Sequence, residues 1–224
     1  YRSKDGDREA IVFRMPKEKI SFQDLVHGEI SFDASVLEDL VIIKSDKSPT
    51  YNFACVIDDH EMGITHVIRG DDHISNTPKQ IALYRALGYP VPQFGHLALI
   101  CGKDGTPLSK RDGAVSVKAY QEEGYLPSAL LNYLAILGWS PEGDREIFLL
   151  EELVKAFRIE RVNAKAAIFD FEKLAWMNGE HLRKLDPGVY QDLAINYLKT
   201  RSAFSGGFDE ARVRKALPLF KERI

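Results

Sequence analysis

Hydrophobic residues alternate with polar ones early in the chain and recur at helical spacing over its second half. Ile11, Phe13 and Met15 alternate with smaller or polar neighbours, and Ile30 and Phe32 do so after a His27-Gly28 turn signal. Val41-Ile42-Ile43 is an unbroken apolar run, which predicts a buried strand. The texture from Ala10 to Asp59 is therefore that of a small β-structure. At Gly63 it changes: Ile64 to Ile68 reads as a short strand ended by Arg69-Gly70. Thr77 and Gln80 then have capping-box spacing, Pro78 takes the first helical position, and Ile81, Tyr84 and Leu87 form an apolar face before a Gly88 stop. Phe94 to Ile100 is a second strand, so residues 63 to 100 predict a β-α-β unit and part of a parallel, doubly wound sheet.

Beyond a loop at 102 to 113 that holds three glycines, the pattern is helical. Pro127 starts a nearly all-apolar helix ending at Gly138, and Leu149 to Phe157 is amphipathic. Asp170 caps a segment through Leu185, Asp186-Pro187 starts another reaching about Lys199, and Asp209 begins a last helix.

Composition adds class and charge. With 224 residues, 45% of them hydrophobic and 28% charged, the chain is globular and long enough to bury a core without disulfides. Cys55 and Cys101 lie far apart with no C-x-x-C pair, so no disulfide framework and no zinc site is expected, and the cytosol is the expected compartment. No apolar run is long enough for a membrane span. The start at Tyr1 and the stop at Ile224 inside a charged helical pattern read as an internal piece of a longer chain. Net charge is −3, but residues 1 to 149 hold 16 Lys and Arg against 22 Asp and Glu, a balance of −6, leaving +3 for the remainder. Arg158, Arg161, Lys165, Arg183 and Lys184 in that basic part form a stripe suited to nucleic-acid phosphates or to an ordinary solvated surface.

Two features fall at carboxyl ends of the predicted strands, where open α/β sheets bind ligands. The first is Arg69-Gly70-Asp71-Asp72-His73. Arg69 can fork a carboxylate, Gly70 admits a ligand close to the backbone, and Asp71 and Asp72 can take an ammonium or ribose hydroxyls. The bland alternative is a turn in which Arg69 pairs with Asp71 or Asp72, with His73 a structural residue. The second is Leu108-Ser109-Lys110-Arg111 in the glycine-rich loop, where two cations are suited to the charge that builds on departing pyrophosphate.

Pro49-Thr50-Tyr51-Asn52-Phe53-Ala54, Asp58-Asp59, the run from Gly63 to His73, Leu108-Ser109-Lys110-Arg111 and Phe169 to Asn178, in that order, strongly resemble the bacterial glutamyl-tRNA synthetase family. The resemblance implies an α/β fold: part of a Rossmann-like parallel-sheet core, preceded by a small β-containing insertion and followed by an α-helical stem-contact region. On that reading residues 1–52 end the acceptor-binding insertion, 53–107 are the second half of the core, 108–186 carry the KMSKS loop and stem-contact helices, and 187–224 begin the anticodon-binding domain. It further implies a glutamate pocket of Tyr51, Arg69, Gly70, Asp71, Asp72 and His73. ATP sites are implied at Ile100, Leu108, Ser109 and Lys110, with Lys110 and Arg111 catalytic.

The implied activity is ATP-dependent formation of glutamyl-adenylate and transfer to the 3′ end of tRNA(Glu), by a cytoplasmic monomer using ATP with Mg2+. Three features depart from the family pattern. Pro107 replaces the first lysine of the KMSKS signature, Cys55 stands where some members have asparagine, and no His-Ile-Gly-His-like segment occurs in these residues. A paralogue that glutamylates queuosine, a glutaminyl enzyme, and a non-catalytic tRNA-binding fragment are the alternative readings.

Overall fold

The computed structural model describes residues 10–108, 116–200 and 209–221, which divide into two compact units: 10–99 with 158–166, and 100–157 with 167–221. In the first unit, β1 (Ile11–Phe13) pairs antiparallel with β4 (Leu40–Ile43). Beside this ribbon is a four-stranded sheet of β2 (Ile20–Asp24), β3 (Gly28–Phe32), β5 (His66–Gly70) and β6 (Gln93–Leu97), in the order β3-β2-β6-β5. β2 and β3 form a hairpin, whereas β6 runs parallel to both β2 and β5. The crossover from β5 to β6 passes through a 3₁₀ turn at Asp71–Asn76 and helix α2 (Thr77–Leu87), giving the expected β-α-β unit. Gly88, at φ 72°, ends α2 in the left-handed region that its missing Cβ allows.

Four local expectations are corrected. Residues expected to continue the β-texture form helix α1 (Tyr51–Glu61), with Asn52 and Val56, one turn apart, on its buried face. The β-branched and aromatic residues of Tyr51 to Ile57 disguise that face, because burial against the core overrides their weak helix preference. The apolar run Val41-Ile42-Ile43 lies in the two-stranded ribbon and leaves Val41 exposed, so it is not a buried strand. Thr77 and Gln80 form no capping box: Gln80 Nε2 donates to Asn52 Oδ1 at 3.1 Å, pinning α1 to α2, and Thr77 is spent on the site described below. The expected strand from Phe94 to Ile100 is divided, since β6 stops at Leu97 and Ile100–Cys101 forms β7, which belongs to the second unit.

The core of the first unit gathers Ile20, Val56, Ile81, Leu83, Tyr84 and Phe94, each at most 2% exposed. Full burial of one such side chain contributes roughly 1.5–3 kcal/mol. The sheet and both helices thus share one apolar interior, from which the carboxyl ends of β2, β5 and β6 project in the same direction.

The second unit is mostly helical: α3 (Val117–Glu122), α4 (Pro127–Gly138), α5 (Leu150–Ala156), α6 (Phe171–Lys184), α7 (Pro187–Lys199) and α8 (Glu210–Lys221). β7 pairs in parallel with β8 (Ala167–Ile168). Helix starts follow the caps expected from sequence: the Asp170 carboxylate accepts from the Glu172 and Lys173 N–H groups, and that of Asp186 from Gly188 and Val189. Tyr133, Leu174 and Met177 sit at the centre of this core, each at most 1% exposed. Among the described residues no helix is long and apolar enough to cross a membrane.

Candidate functional site

Arg69 lies on β5, one residue before its carboxyl end, and its side chain is held from three directions. Its Nε donates to His96 Nε2 at 3.2 Å, and its Nη2 donates to Thr77 Oγ1 at 2.8 Å and to the His73 carbonyl at 3.4 Å. The guanidinium carbon also stands 5.6 Å from the Phe94 ring centroid. Among the described residues Arg69 forms no ion pair with a carboxylate, so the alternative in which it pairs with Asp71 or Asp72 is not realised. Asp72 turns toward His73 instead, with its carboxylate 3.8 Å from His73 Nε2.

His96, on β6, is the register partner of Arg69, which is why the two side chains meet on one face of the sheet. It is fully buried and hydrogen-bonds through Nδ1 to Asp24 Oδ2 at 2.6 Å. Asp24 ends β2 and is 2% exposed. Its other oxygen accepts from the backbone N–H groups of Val26 and His27, which turns the chain into the β2–β3 hairpin. Burial opposes ionisation of Asp24, but the hydrogen bonds from His27, His96 and Val26 outweigh it and hold the carboxyl below its ordinary range. Burial pushes His96 below the usual histidine value; Asp24 pulls the other way without reversing it, while Arg69 and His27 add to the lowering. The result is a row across the carboxyl ends of three strands: carboxylate, neutral imidazole, guanidinium.

Around the guanidinium, Tyr51 at the start of α1 stacks loosely over His73, with ring centroids 5.8 Å apart. Burial pushes the Tyr51 phenol up, Cys55 adds to the rise, and Arg69 opposes it, which places all three side chains within interaction range. At Gly70 a Cβ would come within 2.5 Å of Asp72 Oδ1, so any side chain there would displace the Asp72 carboxylate. Tyr51, Arg69, Gly70, Asp72 and His73 therefore form one cluster; Asp71 opens the 3₁₀ turn beside them.

The expected nucleotide residues fall differently. Ile100 and Leu108 belong to the second unit, where the Leu108 N–H donates to the Ile100 carbonyl at 2.9 Å in a narrow hairpin. Asp104 closes that hairpin by accepting from Thr106 N and Oγ1. Ser109, Lys110 and Arg111 lie outside the described residues. The five cations of the expected stripe do not share a unit: Arg158, Arg161 and Lys165 fall in the first, Arg183 and Lys184 in the second, where Arg183 pairs with Glu180. Among the described residues no group of three or more His, Cys, Asp or Glu is placed to hold a metal ion.

Sequence reasoning missed Asp24 and His96. They are separated by 72 positions, and neither belongs to a motif with its sequence neighbours. The available signal was that a charged residue at Asp24 and a histidine at His96 both fall at carboxyl ends of parallel strands.

Residues 1–176 match the model for the tRNA synthetases class I (E and Q) catalytic domain. The chain is 55% identical to a glutamate–tRNA ligase of Aquifex aeolicus over 199 residues, covering 88% of this chain and 42% of that protein. It is 50% identical to one from Heliobacterium modesticaldum over 212 residues, covering 94% and 43%. A crystal structure of glutamate-tRNA synthetase from Elizabethkingia anophelis superposes with a TM-score of 0.86 at 34% identity, covering 97% of this chain and 47% of that one. The chain thus spans a little under half the length of these relatives. With the family match extending over more than three-quarters of the sequence, this chain belongs to the class I tRNA synthetases for glutamate and glutamine.

Proposed function

We propose that this chain is part of a glutamate–tRNA ligase, and that the Arg69 cluster receives the amino acid. The observation that carries the reading is the Arg69 guanidinium, positioned at the carboxyl edge of the sheet yet not neutralised by any carboxylate among the described residues. A substrate carboxylate supplies the missing counter-charge and is held by a charge-assisted hydrogen bond. Two guanidinium nitrogens are already engaged by the protein, so the carboxylate meets the Nη end of the group and not its Nε edge. Gly70, Asp71, Asp72 and His73 line the remainder of this pocket beside Tyr51, with the acidic pair suited to the substrate ammonium.

In the proposed reaction, the glutamate α-carboxylate attacks the α-phosphorus of ATP and pyrophosphate leaves; the tRNA terminal hydroxyl then takes the acyl group and AMP leaves. Ile100, Leu108, Ser109 and Lys110 are the proposed ATP contacts, and Lys110 and Arg111 the groups that stabilise charge on the departing pyrophosphate. Mg2+ is proposed to arrive with the ATP phosphates. L-glutamate, ATP and tRNA(Glu) are thus the partners, and a cytoplasmic monomer is the proposed setting. The curated relatives are named glutamate–tRNA ligases, which favours glutamate over glutamine. The activity is proposed for the whole protein in which this chain sits.

The test is pyrophosphate exchange into ATP by that protein, with tRNA present, comparing glutamate and glutamine. Glutamate should support exchange, and Arg69→Ala should raise the glutamate KM at least tenfold. Exchange with glutamine alone, or an unchanged glutamate KM in the Arg69 variant, would overturn the assignment.

A further inference from the structure

We propose that His96, clamped by Asp24, is a positioning residue that fixes the Arg69 guanidinium for the substrate carboxylate while leaving its charge unspent. The inference rests on the reading that Arg69 receives a carboxylate. An arginine Nε can only donate, so His96 Nε2 must accept, and the single ring proton must sit on Nδ1, where it is donated to Asp24. The Thr77 hydroxyl, 3.1 Å from the same Nε2 and an acceptor for Arg69 Nη2, closes a small ring of contacts around the imidazole edge. Asp24 is locked in turn by the Val26 and His27 backbone N–H groups. No member of the row can turn without breaking its neighbour's bond.

A carboxylate at position 96 would hold the Nε equally well, but it would form an ion pair with Arg69 and compete with the ligand for it. A neutral imidazole orients the guanidinium by a hydrogen bond and brings no charge of its own. Asp24 is kept one ring-width away on the far side of His96. Its charge stabilises the Nδ1–H tautomer and so keeps a lone pair on Nε2 for Arg69. The arrangement spends Nε and part of Nη2 on the protein and points the rest of the fork at the ligand. The role is distinct from contact with substrate: His96 is fully buried and acts through Arg69.

Two variants separate the halves of this role. In His96→Asn the side-chain amide can still donate to Asp24 but does not reach Arg69; in His96→Gln the amide oxygen can take the place of Nε2. Steady-state pyrophosphate exchange by the protein that carries this chain should show the glutamate KM of His96→Asn raised about tenfold or more, with kcat and the ATP KM changed less than threefold. His96→Gln should recover most of that loss. Equal glutamate KM values for wild type and a folded His96→Asn variant would overturn the proposal, as would equal damage from Asn and Gln. If Arg69→Ala leaves the glutamate KM unchanged, it is the carboxylate reading itself that fails. Should His96→Asn not fold, the wild-type protein still decides. A hydrogen-bond scalar coupling between Arg69 Nε–H and His96 Nε2 is expected in ¹⁵N spectra, and its absence in the folded protein would contradict the clamp.

Discussion

Each unit of this chain buries a histidine, and the two are wired differently. His96 in the sheet unit is fully buried and His181 in the helical unit is 3% exposed. His181, on α6, meets Asn132 Oδ1 at 3.0 Å, and the same oxygen accepts from the Phe148 N–H at 2.8 Å. Asn132 Nδ2 donates to the Glu146 carbonyl, so the carboxamide ties α4, α6 and the segment before α5 into one closed, uncharged junction. His96 instead bridges a buried carboxylate to an arginine at the edge of the sheet. A closed neutral network stabilises a scaffold, whereas this row ends on a cation that no described carboxylate neutralises, the place proposed for the substrate carboxylate.

The largest expected consequence of that difference is in the cost of removing the partner. Asp24→Ala strips the acceptor from three backbone N–H groups, those of Val26, His27 and His96, and from the imidazole, and leaves His96 without the partner that holds it against Arg69. With about 1–3 kcal/mol for each donor left unsatisfied, it should destabilise the protein by about 3–5 kcal/mol. Asn132→Ala removes an uncharged acceptor and one donor and should cost about 2 kcal/mol. Urea unfolding of both variants checks the order; an Asn132 variant that loses more than the Asp24 variant would break the comparison.

A smaller effect follows from pH. Both histidines are lowered from the ordinary value of 6.5, His96 chiefly by burial and His181 by burial with Lys184 adding and Glu180 opposing. The unfolded chain therefore binds these protons first. Stability is full above pH 6.5 and falls as pH drops below it, by at most about 1.4 kcal/mol per pH unit for each ring. Asp24, also lowered, adds a further loss below its ordinary 3.8, as its carboxylate takes up a proton. The groups that face His96 are Asp24, His27 and Arg69. Melting temperatures measured from pH 8 to pH 5 should decline below 6.5, and His96→Gln should flatten part of that slope. A slope unchanged in that variant would mean that His96 is not a buried neutral ring.

Sequence legibility divides along the same line. The β-α-β unit, the Gly88 stop and the caps at Asp170 and Asp186 were readable because each is a local signal spanning a few residues. Arg69 was readable as the cation that ends a parallel strand. Helix α1 was not, because its buried face rests on Asn52, a polar residue whose partner Gln80 lies 28 positions away. Gln80 and Thr77 were misassigned to a cap for the same reason, since tertiary partners outbid a local one. Asp24 and His96 are meaningful only as a pair, and β2 and β6 must first assemble in parallel before the pair exists.

The most direct measurement is the tautomer of the two histidines in long-range ¹H–¹⁵N spectra of the folded chain at pH 7.5. Arg69 forces the proton of His96 onto Nδ1, whereas Asn132, with its oxygen fixed by the Phe148 N–H, forces that of His181 onto Nε2. The account predicts opposite tautomers for the two rings. Finding both rings as Nε2–H, or His96 as a doubly protonated cation, would contradict it.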